Sequence, residues 1–272
     1  MREVPQPKAR ILELYGAFGR RAGGWIAISH LITLLGDFGI EETAIRSACS
    51  RMKAKGLLIS EKRHDTAGYR LSDATTEILA DGDGRIFRAK GRSGDDEEWV
   101  ACVFSVPEAE RSTRYLIRSR LTWLGYGQAA PGVWIAPSSL RDETERMMRR
   151  LGVVEHVMMW QGVYLGFADE KEMVAAAWDL PALRDLYETY LEEFEGVVDS
   201  WDGSSPDATR RAFIEYLESL AHWRRLPYLD PGLPPSLTPD DWPAERARAL
   251  FNHIDENLAS AAFRHFESVI GG

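Results

Sequence analysis

Apolar residues recur at helical spacing from Lys8 to Phe18, where Ile11, Leu12, Leu14, Tyr15 and Phe18 fall on one side. Gly23-Gly24 interrupts the pattern, and Ile26 to Leu35 resumes it with Ser29 and Thr33 on the polar side. Gly36-Asp37-Phe38-Gly39 predicts a turn. Glu41 to Lys55 predicts a third helix, acidic in its first turn and basic toward its end, as the helix dipole favours. Gly56 supplies the stop. Leu57 to Lys62 and Tyr69 to Ser72 then predict two strands around a turn at Arg63 to Gly68, and Ala74 to Ala80 predicts a closing helix.

Gly91 to Asp96 is a linker by composition. Beyond it the pattern changes. Trp99 to Val106 predicts a strand closed by Pro107, and Glu108 to Leu124 a helix ended by Gly125-Tyr126-Gly127. Gly132 to Ile135 predicts a short buried strand, Asp142 to Leu151 a helix and Val153 to Trp160 a further β-prone run. Alternating strands and helices of this size describe a small α+β unit of the split-βαβ, ferredoxin-like kind, with Val163 to Phe167 as the candidate last strand. From Met173 onward the reading is helical: Leu180 to Val198, Asp207 to Arg224 and Pro243 to Val269. Pro227 to Pro243 holds six prolines and excludes regular helix or central strand. The chain divides into residues 1–90, 97–170 and 173–272.

Charge sharpens this division. The net charge of −9 hides a front of residues 1–90 with 15 basic and 11 acidic side chains, +4, and a remainder with 18 basic and 31 acidic, −13. A basic front on an acidic body argues against non-specific nucleic-acid binding by the whole chain and allows a local basic footprint. The two cysteines, Cys49 and Cys102, form no disulfide framework, which fits a reduced, cytoplasmic protein. No apolar run reaches the roughly 20 residues of a membrane helix, and Met1 to Lys8 lacks the apolar core of a secretory signal.

The order of helix, helix, turn, basic helix and polar-tipped hairpin predicts a winged helix-turn-helix. On the third helix Ala44, Ile45, Ala48 and Met52 form the expected buried stripe, which turns Thr43, Arg46, Ser47, Ser50 and Arg51 outward. Arg pairs bidentately with guanine, and Ser and Thr reach bases or phosphates. Lys53, Lys55, Lys62, Arg63 and Arg70 are placed for phosphates, which position a domain without reading sequence. His64 at the wing tip is a candidate contact or a plain loop histidine. Cys49, beside the stripe, reads as a small core residue. A solvated helix backed by a hairpin would carry the same residues without reading anything.

Catalytic motifs are missing: the six histidines are scattered without metal-ligand spacing, and there is neither a phosphate loop nor a nucleophile elbow. No catalytic residue, metal ligand or cofactor is assigned, and the chain reads as a non-enzyme. Arg111, Arg114 and Arg118 share one helix face, which suits an anionic ligand, a solvated face or an acidic partner. Trp99, Trp123, Trp134 and Trp160 read as core.

Four stretches together resemble the PaaX family of bacterial transcriptional regulators, the phenylacetate-degradation repressors. They are Glu42 to Met52 with Gly56-Leu57-Leu58; Trp99 to Glu108 with Arg111 and Arg114; Leu124 to Gly127 leading to Gly132 to Pro137; and Tyr228 to Pro234 with Trp242-Pro243. The resemblance implies an α+β multidomain protein with an N-terminal winged helix-turn-helix, a central ferredoxin-like (Cas2-like) domain and a C-terminal helical domain. It implies a homodimeric repressor of aromatic catabolism that binds double-stranded operator DNA and is released by an acyl-CoA effector such as phenylacetyl-CoA, with Arg111, Arg114 and Arg118 as candidate effector contacts. Ser105-Val106-Pro107 stands where Cas2-type nucleases end their first strand with an acidic ligand, so nuclease activity does not carry over. The alternatives are a winged-helix adaptor without DNA specificity and a CoA-thioester enzyme in the C-terminal half.

Overall fold

The computed structural model describes residues 6–87, 98–167 and 169–271, and the expected linker Gly91 to Asp96 lies outside the described residues. Pro7 opens the first helix, α1 (Pro7–Leu14), where its missing N–H costs no helical bond. A wider π-type turn over Tyr15–Gly19 follows. Gly23 and Gly24, at φ 86° and 79°, then reverse the chain into β1 (Trp25–Ala27). Sequence reading placed Ile26 in the next helix; α2 instead spans Ile28–Gly36. A three-residue strand has no visible period, and β1 is defined by a partner some 40 positions away, Trp25 opposite Arg70.

The turn after α2 leads to α3 (Glu42–Ala54) and a hairpin of β2 (Leu58–Arg63) and β3 (Thr66–Leu71). The hairpin is longer and its loop tighter than predicted. Arg63 pairs with Thr66, leaving only His64 and Asp65 as the loop. Both have positive φ, 44° and 63°, the type I′ geometry that matches strand twist. The antiparallel sheet runs β1-β3-β2. The closing helix α4 (Asp73–Ile86) is capped by Ser72, whose Oγ accepts from the Thr75 N–H, and extends past its expected end at Ala80.

The central sheet is built from β4 (Trp99–Phe104), α5 (Arg111–Trp123), β5 (Gly127–Ala130), β6 (Val133–Pro137), α6 (Arg141–Leu151) and β7 (Val157–Gly162). Its strand order is β5-β6-β4-β7, antiparallel throughout, as in a ferredoxin-like fold. Val100, Cys102, Trp134 and Ala136 of the sheet form one core with Ile117 and Leu121 of α5 and Met148 of α6. Two expectations change. The last strand is Val157–Gly162 rather than Val163 to Phe167, where Val163, Leu165 and Phe167 stand exposed. Strand β5 was missed because Gly-Gln-Ala-Ala has little strand propensity; it exists as the hairpin partner of β6. Trp160, expected in the core, is 54% exposed on β7.

The remaining chain is helical: α7 (Glu170–Ala177), α8 (Leu180–Phe194), α9 (Ala208–Trp223), α10 (Leu226–Leu229) and α11 (Ala244–Ile270). The described residues form two compact units. One gathers 6–87, 190–223 and 246–271; the other gathers 98–167, 169–189 and 224–245. In the first, α9 and α11 pack on the N-terminal elements through aromatic rings, with Phe18 lying 5.6–6.0 Å from Phe213, Tyr216, Phe263 and Phe266. In the second, Asp230 organises the proline-rich stretch by accepting from Tyr187 Oη, Trp242 Nε1 and the Gly232 N–H.

Candidate nucleic-acid interface

Helix α3 has two contrasting sides. Ile45, Ala48, Cys49 and Met52 are buried, while Ala44, expected in that stripe, is only half-buried. Cys49 takes its place, and burial pushes its thiol up to about 11, so it stays neutral at ordinary pH. Thr43, Arg46, Ser47, Ser50, Arg51, Lys53 and Lys55 are all exposed. In the turn before α3, Gly39 adopts φ 73°, which a side chain would resist, and Ile40 is buried behind it.

The cations on this side differ in availability. Arg46 Nε is 2.7 Å from Glu42 Oε1 one turn earlier. Arg51 donates to Ser47 Oγ. On the hairpin Lys62 pairs with Asp65 at 2.7 Å, and Arg63 Nε with Glu61 at 2.6 Å. The Arg63 guanidinium also lies 5.3 Å from the centre of the Trp25 ring. The hydrogen bond from Arg63 is the main reason the Glu61 carboxyl titrates below its ordinary value. Lys53 and Lys55 have no ion-pair partner among the described residues. Sequence reading found the cations and missed their carboxylates, because a pair such as Arg63 with Glu61 depends on strand geometry. Trp25 was missed for the same reason. It braces the hairpin by donating from Nε1 to the Glu61 carbonyl at 3.1 Å and by lying against Gly68, where a Cβ would fall 2.5 Å from its ring.

The expected arginine face of α5 is also assembled. Arg111, Arg114, Tyr115, Arg118 and Thr122 line an open cleft of about 800 Å³ with Trp134 at its base. Arg111 and Arg114 share one carboxylate, Glu108, each at 3.1 Å, and Arg114 also donates to the Val106 carbonyl. Arg118 has no such partner among the described residues, and Tyr115 is 76% exposed. Among the described residues no group of His, Cys, Asp and Glu could hold a metal ion, and no helix is long and apolar enough to cross a membrane.

Taken together, the elements define a mixed α+β multidomain protein with two antiparallel sheets and a helical C-terminal part. Family models cover nearly all of it: PaaX-like protein over residues 6–75, PaaX protein central Cas2-like domain over 92–174, and PaaX-like protein C-terminal domain over 178–268. The chain belongs to the PaaX family. It is 27% identical over 256 residues to the transcriptional repressor PaaX of Escherichia coli (strain K12), covering 93% of this chain and 80% of that one. It shares its fold with an uncharacterized protein from Mycobacterium tuberculosis at a TM-score of 0.59 and 22% identity, over 98% and 99% of the two chains.

Proposed function

We propose that this chain is a sequence-specific DNA-binding transcriptional repressor in which α2, α3 and the β2–β3 hairpin act as a winged helix-turn-helix. The observation that carries this reading is the two-sided character of α3. A buried apolar stripe fixes the helix to its domain, and Thr43, Arg46, Ser47, Ser50 and Arg51 are left outward, where a recognition helix reads base edges. Lys53, Lys55, Arg63 and His64 flank that face and suit the phosphates on either side. The repressor role of the Escherichia coli relative supports the same role here.

In this reading the genes controlled belong to phenylacetate-type aromatic catabolism, and phenylacetyl-CoA or a related thioester releases the DNA. The α5 cleft supports that effector: Arg111, Arg114 and Arg118 suit its phosphates, and Tyr115 offers an open ring. The repressor acts as a cytoplasmic homodimer. The uncharged edge strand β7, with Met158 and Trp160 more than half exposed, supports a self-association surface. Along the sequence the segments 1–90, 97–170 and 173–272 follow the three family matches, and the proposed DNA contacts lie in the first. The test is enrichment of random duplexes by the full-length protein. A single two-fold-related sequence is expected to dominate; recovery of sequences no different from the input pool would remove the DNA-reading role.

A further inference from the structure

The turn between α2 and α3 is held from far along the chain. The Asp37 carboxylate accepts a hydrogen bond from Arg210 Nε of α9 at 2.6 Å and lies 2.8 Å from His265 Nε2 of α11. The Asp37 and His265 side chains are only 12% and 14% exposed. The neighbouring Phe38 ring sits 5.6 Å from Phe213 of α9, and His265 packs 5.0 Å from that same ring. The Arg10 guanidinium lies 4.4 Å from the centre of Phe38 and pairs with Glu218 of α9 at 2.7 Å. Thus the two central residues of the turn are gripped by α1, α9 and α11.

Apolar contact is non-directional and would let these helices pack at a range of angles. Charge-assisted hydrogen bonds are directional and fix one of them. The backbone of the turn is closed locally, the Phe38 and Ile40 N–H groups bonding to the Leu35 carbonyl and the Gly39 N–H to that of Gly36. Its Asp37 and Phe38 side chains are held from outside, so the closed turn, with the α3 it leads into, is fixed against α9 and α11 through Asp37.

We infer that Asp37, Arg210 and His265 form a positioning clamp through which the C-terminal helices α9 and α11 set the pose of α3, making them part of the DNA-reading unit. This rests on the proposal that α3 reads DNA. Asp37, Arg210 and His265 are positioning residues: they set the alignment of Arg46 and its neighbours and leave phosphate attraction alone. Loss of the clamp then lowers affinity for the preferred sequence and leaves binding to random DNA unchanged.

The test uses the full-length protein. Arg210→Ala removes a half-exposed side chain, and His265→Gln keeps an N–H donor that His265→Ala lacks. The expected result for Arg210→Ala and His265→Ala, each confirmed by its melting curve to be folded at the assay temperature, is a tenfold or greater loss of affinity for the enriched sequence, with unchanged random-DNA affinity and unchanged salt dependence. His265→Gln is expected to recover most of the loss. Wild-type affinity in both alanine variants would overturn the clamp. A uniform loss on all DNA with a shallower salt slope would overturn it too, by making Arg210 a phosphate contact. Failure of the wild type to prefer any sequence would instead overturn the DNA-reading proposal, and the clamp with it.

Discussion

At the residue scale, Arg46 decides the most. It is exposed and held at 2.7 Å by Glu42 through Nε, a geometry that leaves its two terminal amino groups for an end-on pair with guanine. Arg46→Ala is expected to cost about 1–3 kcal/mol on the enriched sequence and to relax preference at one base position. A gel-shift series across single-base variants checks this, and an unchanged preference would remove Arg46 from the reading set. Asp37 gives a pH prediction. Burial raises its pKa, but hydrogen bonds and charge from His265 and Arg210 outweigh that and hold it below the ordinary carboxylate value. A depressed folded pKa adds stability that is present above the unfolded pKa and lost as pH falls through the folded one. Asp37→Asn is expected to cost about 1.5 kcal/mol at neutral pH. Denaturant titrations should show that gap closing in the acid range below the ordinary value. Exposure of Arg46 was legible from the spacing of Ile45, Ala48 and Met52. The partners of Asp37 were not, because Arg210 and His265 lie 173 and 228 positions away.

At the element scale, periodicity revealed the long pieces and concealed the short ones. Helix α3 and the β2–β3 hairpin were readable because each carries its own pattern over a dozen residues. Strands β1 and β5 were not, because each is defined by pairing rather than by its own sequence: Gly127 to Ala130 becomes a strand only beside Val133 to Ile135. The hairpin loop was overestimated because Ala67 and Gly68 look like turn residues. Gly68 is instead a strand residue kept small by Trp25, and a Cβ there would also fall 2.6 Å from the Ile26 carbonyl. Gly68→Ala is therefore expected to destabilise the first unit by about 1–3 kcal/mol, as overpacking does. Circular dichroism melts check the loss. A Tm equal to wild type would show that β1 does not brace the hairpin.

At the scale of the whole molecule, the ferredoxin-like unit was visible as alternating strands and helices. That α9 and α11 share a unit with the N-terminal elements was not, because ring contacts such as Phe18 with Phe213 and Phe266 leave no mark in a linear pattern. The charge split of +4 and −13 allows a local DNA footprint at the front. The α5 cleft gives the effector proposal its own test. Arg118→Ala is expected to weaken phenylacetyl-CoA binding about tenfold in calorimetry and leave DNA affinity unchanged, roughly the worth of one charge-assisted hydrogen bond. Equal binding by both proteins would place the effector elsewhere.

The most direct test of the central claim is the ratio of affinities of the full-length protein for its enriched duplex and for random duplex, at physiological salt. A specific reader is expected to show a ratio of at least about 10³. A ratio near one, with both affinities falling together as salt rises, would contradict it.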